Sequence, residues 1–482
     1  MRWRYVLFVV GALTLILGLT MISTLLIDFC YGSEQVLTLS AAVLITVIIG
    51  LSMTVGFRDG NTESISVREG LAIVTLSWIF MCFFGALPFF FGIESCSFTD
   101  AFFESMSGFT TTGASIISNI EILPQSILFW RGFIQWLGGM GIIVLSLAIL
   151  PFLKVGGMQL FKAEVPSPVP DKLKPRIKDT ALILWKVYAL LTVLQVVFLW
   201  VGGMSLFDAI CHAFTTMPTG GFSTRNASIA HYQSAYFDTV FIIFMVLAGI
   251  NFTLHYQLLK GKPLIFWRDP ECRFYLILLL VLASVVSINI YVHTYESFSH
   301  SIRLGTFQVV SIITTTGFVT ADYGNWPAMS QIILLMCMFI GASAGSTGGG
   351  MKCLRIMLLF KICAREVFTL IHPKSVSHIK IGARPVPEEI VRGVVGFVAL
   401  YMGLFAISSI LLAGLGVDFI TTIGAVAASM GNIGPGFGLV GPVGNFADIP
   451  QLGKWLLSCC MLLGRLEIYT VIIILFPEYW RK

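Results

Sequence analysis

Charge is scarce in this chain, and so are the residue patterns that mark most enzymes. Only 11% of its 482 residues are charged, too few to clothe a soluble domain of this size in a solvated surface. The ten cysteines form no C-x-x-C pair and show no metal-ligand spacing; most sit inside apolar runs, where free thiols behave as small hydrophobes. The seven histidines are scattered, with His293 and His300 near an outer boundary and His372 and His378 in a basic loop, so no chemistry is assigned to them. The stretch "GSTGGGMK" lacks the G-K-[S/T] of a phosphate loop. "GASAG", Gly341 to Gly345, fits the G-x-S-x-G pattern that would make Ser343 a hydrolase nucleophile. The strand-turn-helix setting and histidine base which that motif requires are not evident. The formal charge of +5 calls for no nucleic acid, because membrane topology and anionic lipid headgroups account for the basic residues.

What the chain has is apolar length. Hydrophobic residues make up 56%, with 39 Phe and a mean hydropathy of +0.89, the composition of an all-α polytopic membrane protein. Ten spans are expected: Tyr5–Ile27, Val36–Val55, Leu71–Gly92, Ile127–Phe152, Ile183–Val201, Val240–Leu259, Phe274–Val292, Ile332–Ile340 with its continuation, Val394–Leu415 and Leu456–Phe476. The basic start followed by an apolar run is read as the first span, since it is long and lacks a small-x-small cleavage site. With both termini cytoplasmic, the inner segments 1–4, 57–69, 153–179, 259–273, 352–392 and 477–482 hold 24 of the 30 Lys and Arg, which favours that orientation.

Between neighbouring spans lie segments too short to cross and too apolar to be loops. Four align without gaps: "SFTDAFFESMSGFTTTGAS" from Ser97, "SLFDAICHAFTTMPTGGFS" from Ser205, "SIRLGTFQVVSIITTTGFV" from Ser301 and "DFITTIGAVAASMGNIGPG" from Asp418. Each opens on a helix-capping residue type, and sixteen positions later each has a glycine: Gly113, Gly221, Gly317 and Gly434. About 11 helical residues span roughly 16 Å, half the hydrocarbon thickness, and an extended strand can return through the same depth. These are re-entrant hairpins. Non-helical backbone so deep in a membrane is tolerated only against protein or a water-filled path. Glycine lets backbone oxygens turn toward an axis, and four such strands would make rings of oxygens able to replace a cation's hydration shell. The helix C-termini would add their partial negative charge. Asp100, Glu104, Asp208 and Asp322 either concentrate cations at the outer mouth or serve as caps and solvated loop charges. The architecture is two helices followed by four helix–pore helix–helix repeats: 1–66 for the helix pair, then 67–155, 156–263, 264–365 and 366–482.

These residues resemble the Trk/Ktr/HKT superfamily of potassium transporters, and most closely the bacterial Trk membrane subunit, over essentially the whole chain. The resemblance is carried by "TTTGAS", "PTGGFST", "TTTGFVT" and "GNIGPGFG", by "WLGGMGI", and by "GASAGSTGGGMK". It implies a potassium-binding filter at Thr111, Thr112 and Gly113, at Thr219, Gly220 and Gly221, at Thr315, Thr316 and Gly317, and at Asn432, Ile433 and Gly434. Gly220 and Gly221 are adjacent, and the ungapped alignment picks Gly221. Glycine rather than serine at Gly113 implies potassium over sodium.

The glycine-rich run 339–355 should break its span near mid-membrane, and in the family such a segment is an intramembrane gate below the filter. Gly341, Gly345, Gly348, Gly349 and Gly350 are then hinge candidates, with Lys352 at the inner edge; the alternative is small-residue helix packing. Arg465, which lies with Glu467 in the last span, reads as an electrostatic barrier or latch beside the gate. Lys186 reads as a snorkelling residue, and Arg131 as an outer-interface anchor. The resemblance further implies no enzymatic activity, no cofactor beyond transported potassium or rubidium, a homodimer in a bacterial inner membrane, and a cytoplasmic ring of Rossmann-type NAD- or ATP-binding regulatory subunits. Segments 153–179 and 352–392 are the expected contacts of that ring, though lipid explains their charge equally. A potassium-translocating subunit of an ATP-driven pump remains the alternative, and channel-like flow and symport with protons or sodium both stay open.

Overall fold

The computed structural model describes residues 1–32, 35–58, 66–94, 96–148, 177–375, 377–382 and 384–480. Among them, six helices are long and apolar enough to cross a membrane without a break: Trp3–Tyr31, Val36–Gly56, Arg68–Gly92, Ala181–Val201, Pro270–His293 and Glu388–Gly414. The apolar faces of these helices are largely exposed, with Leu26, Leu37, Ile48, Leu280 and Ile410 all more than half accessible, so the surrounding medium must be lipid. The molecule is a multi-pass membrane protein. Helix Gln125–Ala148 takes another of the expected spans, whose last residues, 149–152, lie outside the described ones. So does most of the basic segment 153–179.

Three expected spans are not continuous helices. Val240–Leu259 divides into Ala235–Ala248 and Phe252–Leu259, bent by 100°; Asn251 caps the second piece by accepting from the Thr253 amide. The last span divides into Gln451–Arg465 and Tyr469–Leu475, bent by 119°, with Glu467 and Ile468 at φ of 55° and 28°. The span expected from Ile332 is helical as Ala328–Cys337, runs irregularly to Lys352, and resumes as Cys353–Ile371. Hydropathy registers apolar length and is blind to such breaks.

Inside this shell stand four short helices: Phe98–Phe109, Leu206–Thr216, Phe298–Ile313 and Phe419–Gly431. Twelve residues rise about 18 Å, a little over half the hydrocarbon thickness. Ser97, Ser205, Ser297 and Asp418 cap them, each side chain accepting from the backbone N–H three residues on. The third begins at Ser297 rather than at Ser301, one turn earlier than the ungapped alignment places it. Ser301 is instead an interior residue whose hydroxyl donates to Ser297 O.

Successive repeats meet in order around a centre. Arg131 donates to Ser223 O at 3.0 Å, Ala230 N to Val319 O at 3.1 Å, and Tyr323 Oη to Gly436 O at 3.0 Å. Phe446 N closes the circle by donating to Ser115 O at 2.8 Å.

Candidate functional site

Each short helix ends in the same way. One to three residues past its end the backbone turns left-handed, with φ of 52° at Thr111, 59° at Thr219, 60° at Thr315 and 54° at Asn432. Two residues later a glycine also has positive φ: 82° at Gly113, 74° at Gly221, 80° at Gly317 and 100° at Gly434. Between them the amides of Thr112, Gly220, Thr316 and Ile433 each donate five residues back, to Ser107, Thr215, Ser311 and Ala428 O, at 2.8–2.9 Å. Four unlike sequences thus make one backbone shape, and Gly221, not Gly220, takes the equivalent glycine place. Left-handed φ at three threonines is costly for β-branched residues, and the surrounding burial holds them there: Thr111, Thr219, Thr315 and Asn432 are all fully buried.

The four strands face one another in a closed cycle. A methyl group on Gly113 would lie 2.1 Å from Gly220 O; on Gly221, 1.9 Å from Thr316 O; on Gly317, 1.8 Å from Ile433 O; and on Gly434, 2.8 Å from Thr112 O. Each glycine therefore packs bare against the carbonyl that precedes the next glycine. Four carbonyls, from Thr112, Gly220, Thr316 and Ile433, stand about one centre. Outside them opens a mouth lined by Ser115, Ser118, Asn226, Val319, Pro435 and Asn445.

The acidic residues are occupied elsewhere. Glu104 is buried and bridges to Arg131 at 2.9 Å, while also accepting from Ser115 Oγ and Ile116 N. Arg131 is 1% exposed, packed over the Phe222 ring, and is therefore an internal tie rather than an interface anchor. Asp100 pairs with Lys454 at 2.6 Å and Asp208 with Arg225 at 3.1 Å, and Asp322 caps a short turn. None of these four acids is among the residues lining the mouth. Their contacts in this fold are helix-start, turn and ion-pair contacts.

Directly beneath the strands lies the irregular segment Met338–Lys352. It closes on itself through Gly341 N to Met351 O at 2.6 Å and Cys353 N to Ala342 O at 3.1 Å. It also reaches upward: Gly349 N donates to Thr315 Oγ1 at 2.7 Å, and Thr347 Oγ1 donates to Met217 O at 2.8 Å. The break in the neighbouring repeat interlocks with it, Ser343 N bonding Gly249 O at 3.0 Å and Phe252 N bonding Gly345 O at 3.1 Å. Gly345 and Gly350 have φ of 71° and 64°. Gly341 and Gly348 lie against Gly349 O and Ala342, and the Lys352 ammonium bonds Gly348 O. The buried carboxylate of Glu271 accepts from Ala344 N at 2.6 Å and Leu354 N at 3.2 Å, tying both arms of the segment together. Neither Glu271 nor Gln135, which bonds the second strand, stands out by spacing in the sequence.

Arg465 donates to Thr347 O at 2.7 Å. Glu467, two residues on in the same span, pairs with Arg355 at 2.7 Å, across the 119° bend between the two helices. Ser343 is buried and its hydroxyl has no hydrogen-bond partner among the described residues, so nothing there activates it as a nucleophile. Groups of three or more His, Cys, Asp or Glu able to hold a metal ion are absent among the described residues.

The arrangement invites comparison with known transport proteins. The profile of the TrkH family, described as a cation transport protein, matches residues 37–482. The chain belongs to the TrkH family. Over its full length it is 42% identical to the Trk system potassium uptake protein TrkH of Salmonella typhimurium and to that of Escherichia coli, each also covered completely. The TrkG protein of Escherichia coli is 36% identical, with 99% of each chain covered. The crystal structure of the potassium transporter TrkH from Vibrio parahaemolyticus superposes with a TM-score of 0.92 at 38% identity, covering 100% of both chains.

Proposed function

We propose that this chain is a potassium uptake protein of a bacterial inner membrane, with both termini cytoplasmic. Thr111–Gly113, Thr219–Gly221, Thr315–Gly317 and Asn432–Gly434 form its selectivity filter, and the segment carrying Gly341, Gly345, Gly348, Gly349, Gly350 and Lys352, latched by Arg465, is its gate. The single observation that carries the reading is the closed cycle in which each filter glycine packs against the next strand's carbonyl oxygen. Such oxygens replace the hydration shell of an alkali cation without a carboxylate. The relatives' names support potassium as the cargo. The chain acts as a homodimer beneath which a ring of Rossmann-type NAD- or ATP-binding subunits docks, at the basic inner segments.

Rubidium uptake into liposomes holding the purified chain tests this. Uptake halved by far lower concentrations of potassium than of sodium or lithium is the expected result. Absence of uptake in any gradient, with the chain alone and again with the regulatory ring and nucleotide added, would overturn it.

A further inference from the structure

The four filter strands are not held alike. In the first and third, the residue before the glycine is Thr112 or Thr316, whose hydroxyl lies 2.8 Å from that of Thr110 or Thr314, two residues earlier in the same strand. The second strand has Pro218 and Gly220 at those places and no hydroxyl at either. Two consecutive glycines leave this strand the widest choice of backbone conformations. Its restraint comes from another repeat.

Gln135, fully buried on helix Gln125–Ala148, lies against the back of this strand. Its Nε2 donates to Gly220 O at 2.7 Å and its Oε1 accepts from Phe222 N at 3.2 Å, so one amide straddles Gly221. The partners dictate the orientation, because a carbonyl needs the NH2 end and an N–H needs the oxygen. Gly220 is the space in which the amide fits, since a methyl group there would lie 2.4 Å from Gln135 Cδ. One turn earlier on the same helix, Arg131 reaches Ser223 O. Positions i and i+4 thus tie down the backbone at 220, 222 and 223 together. The bonded oxygen, Gly220 O, is also the ring member that faces Gly113. A carbonyl has two lone pairs, so it accepts from Gln135 and keeps one for an ion.

We propose that Gln135 is a positioning residue for ion selectivity: it sets where Gly220 O stands in the ring and so holds the second quarter of the filter at potassium size. This rests on the filter reading above. Gln135→Met keeps the length and removes both bonds. Gln135→Glu keeps an acceptor for Phe222 N and, when ionised, offers no donor to Gly220 O. Both should let the ring contract around a smaller ion.

The test is rubidium uptake by the full chain in liposomes, under whichever conditions support uptake by the parent. The readout is the ratio of sodium to potassium concentrations that halve the flux. A fall of about tenfold in this ratio for both variants is expected, the size of effect that follows loss of a buried hydrogen bond. The exposed control Lys186→Ala should leave it unchanged. A bond that served only to hold the fold would lower the melting temperature and leave the ratio alone. Parent-like discrimination by folded Gln135→Met would overturn the proposal while leaving the filter intact. Should that variant not fold, Gln135→Glu decides by the same ratio. A parent ratio near one would instead defeat the filter reading itself, and the role of Gln135 with it.

Discussion

A missing side chain decides most at Gly113. Any Cβ there would meet Gly220 O at 2.1 Å, and the φ of 82° is one that L-residues avoid. The left-handed backbone costs a non-glycine residue about 1–2 kcal/mol, and as a difference in ion binding this amounts to roughly tenfold. Gly113→Ser is therefore expected to displace a ring oxygen and admit sodium, lowering the sodium-to-potassium inhibition ratio in rubidium uptake by roughly that factor. The glycines were legible in the sequence because positive φ leaves a compositional trace, repeated at one spacing. Gln135 and Arg131 left no such trace. They serve a neighbouring repeat, and neither helical periodicity nor alignment of repeats with one another brings a cross-repeat contact to light. The one hint was the anomaly of Gly220, a second glycine where the other strands carry Thr or Ile.

The irregular segment 338–352 owes its shape to hydrogen bonds. It is paired with the third of the four strands, with the bend at 249–251 beside it and with Arg465, so several separate bonds hold it in place. Deleting Gly345 shifts the register of the residues after it and breaks the bonds of Thr347 to Met217 O and to Arg465 and that of Gly349 to the Thr315 hydroxyl. At roughly 1 kcal/mol net for each bond, three lost bonds favour opening by about a hundredfold. Rubidium flux should rise by about that much with the ion preference unchanged, and a changed preference with unchanged flux would refute the separation of gate from filter. The break at 338–352 was readable from its five glycines. Those at 249–251 and 466–468 were not, since one is marked only by Gly249 and the capping Asn251, and the other by left-handed turns at Glu467 and Ile468, residues with no preference for them.

Taken whole, the molecule is a ring that must close between its fourth and first quarters, more than 300 residues apart in the chain. Lys454 to Asp100 at 2.6 Å and Asn432 Nδ2 to Thr112 Oγ1 at 3.0 Å make that join, alongside Phe446 N to Ser115 O. The ion pair is partly shielded, with 7% and 23% side-chain exposure, so it should exceed an ordinary surface pair. A double-mutant cycle of Lys454→Met and Asp100→Asn, read as unfolding free energy in detergent, should give a coupling of about 0.5–3 kcal/mol. A value of zero would mean that the seam is held by backbone bonds alone. Repeat number and order were visible from the spacing of Gly113, Gly221, Gly317 and Gly434, whereas the partners at the seam were visible only once the circle was drawn.

The cycle of glycines and carbonyls belongs to a single polypeptide. In a pore assembled from four copies of one subunit, every substitution appears four times, and the ring keeps its symmetry whatever the change. Here one codon alters one quadrant. Thr112, Gly220, Thr316 and Ile433 are already not all alike, so one backbone shape is backed by three different residue types in its four quarters. A single substitution therefore acts on one quarter of the ring and leaves the other three as they were.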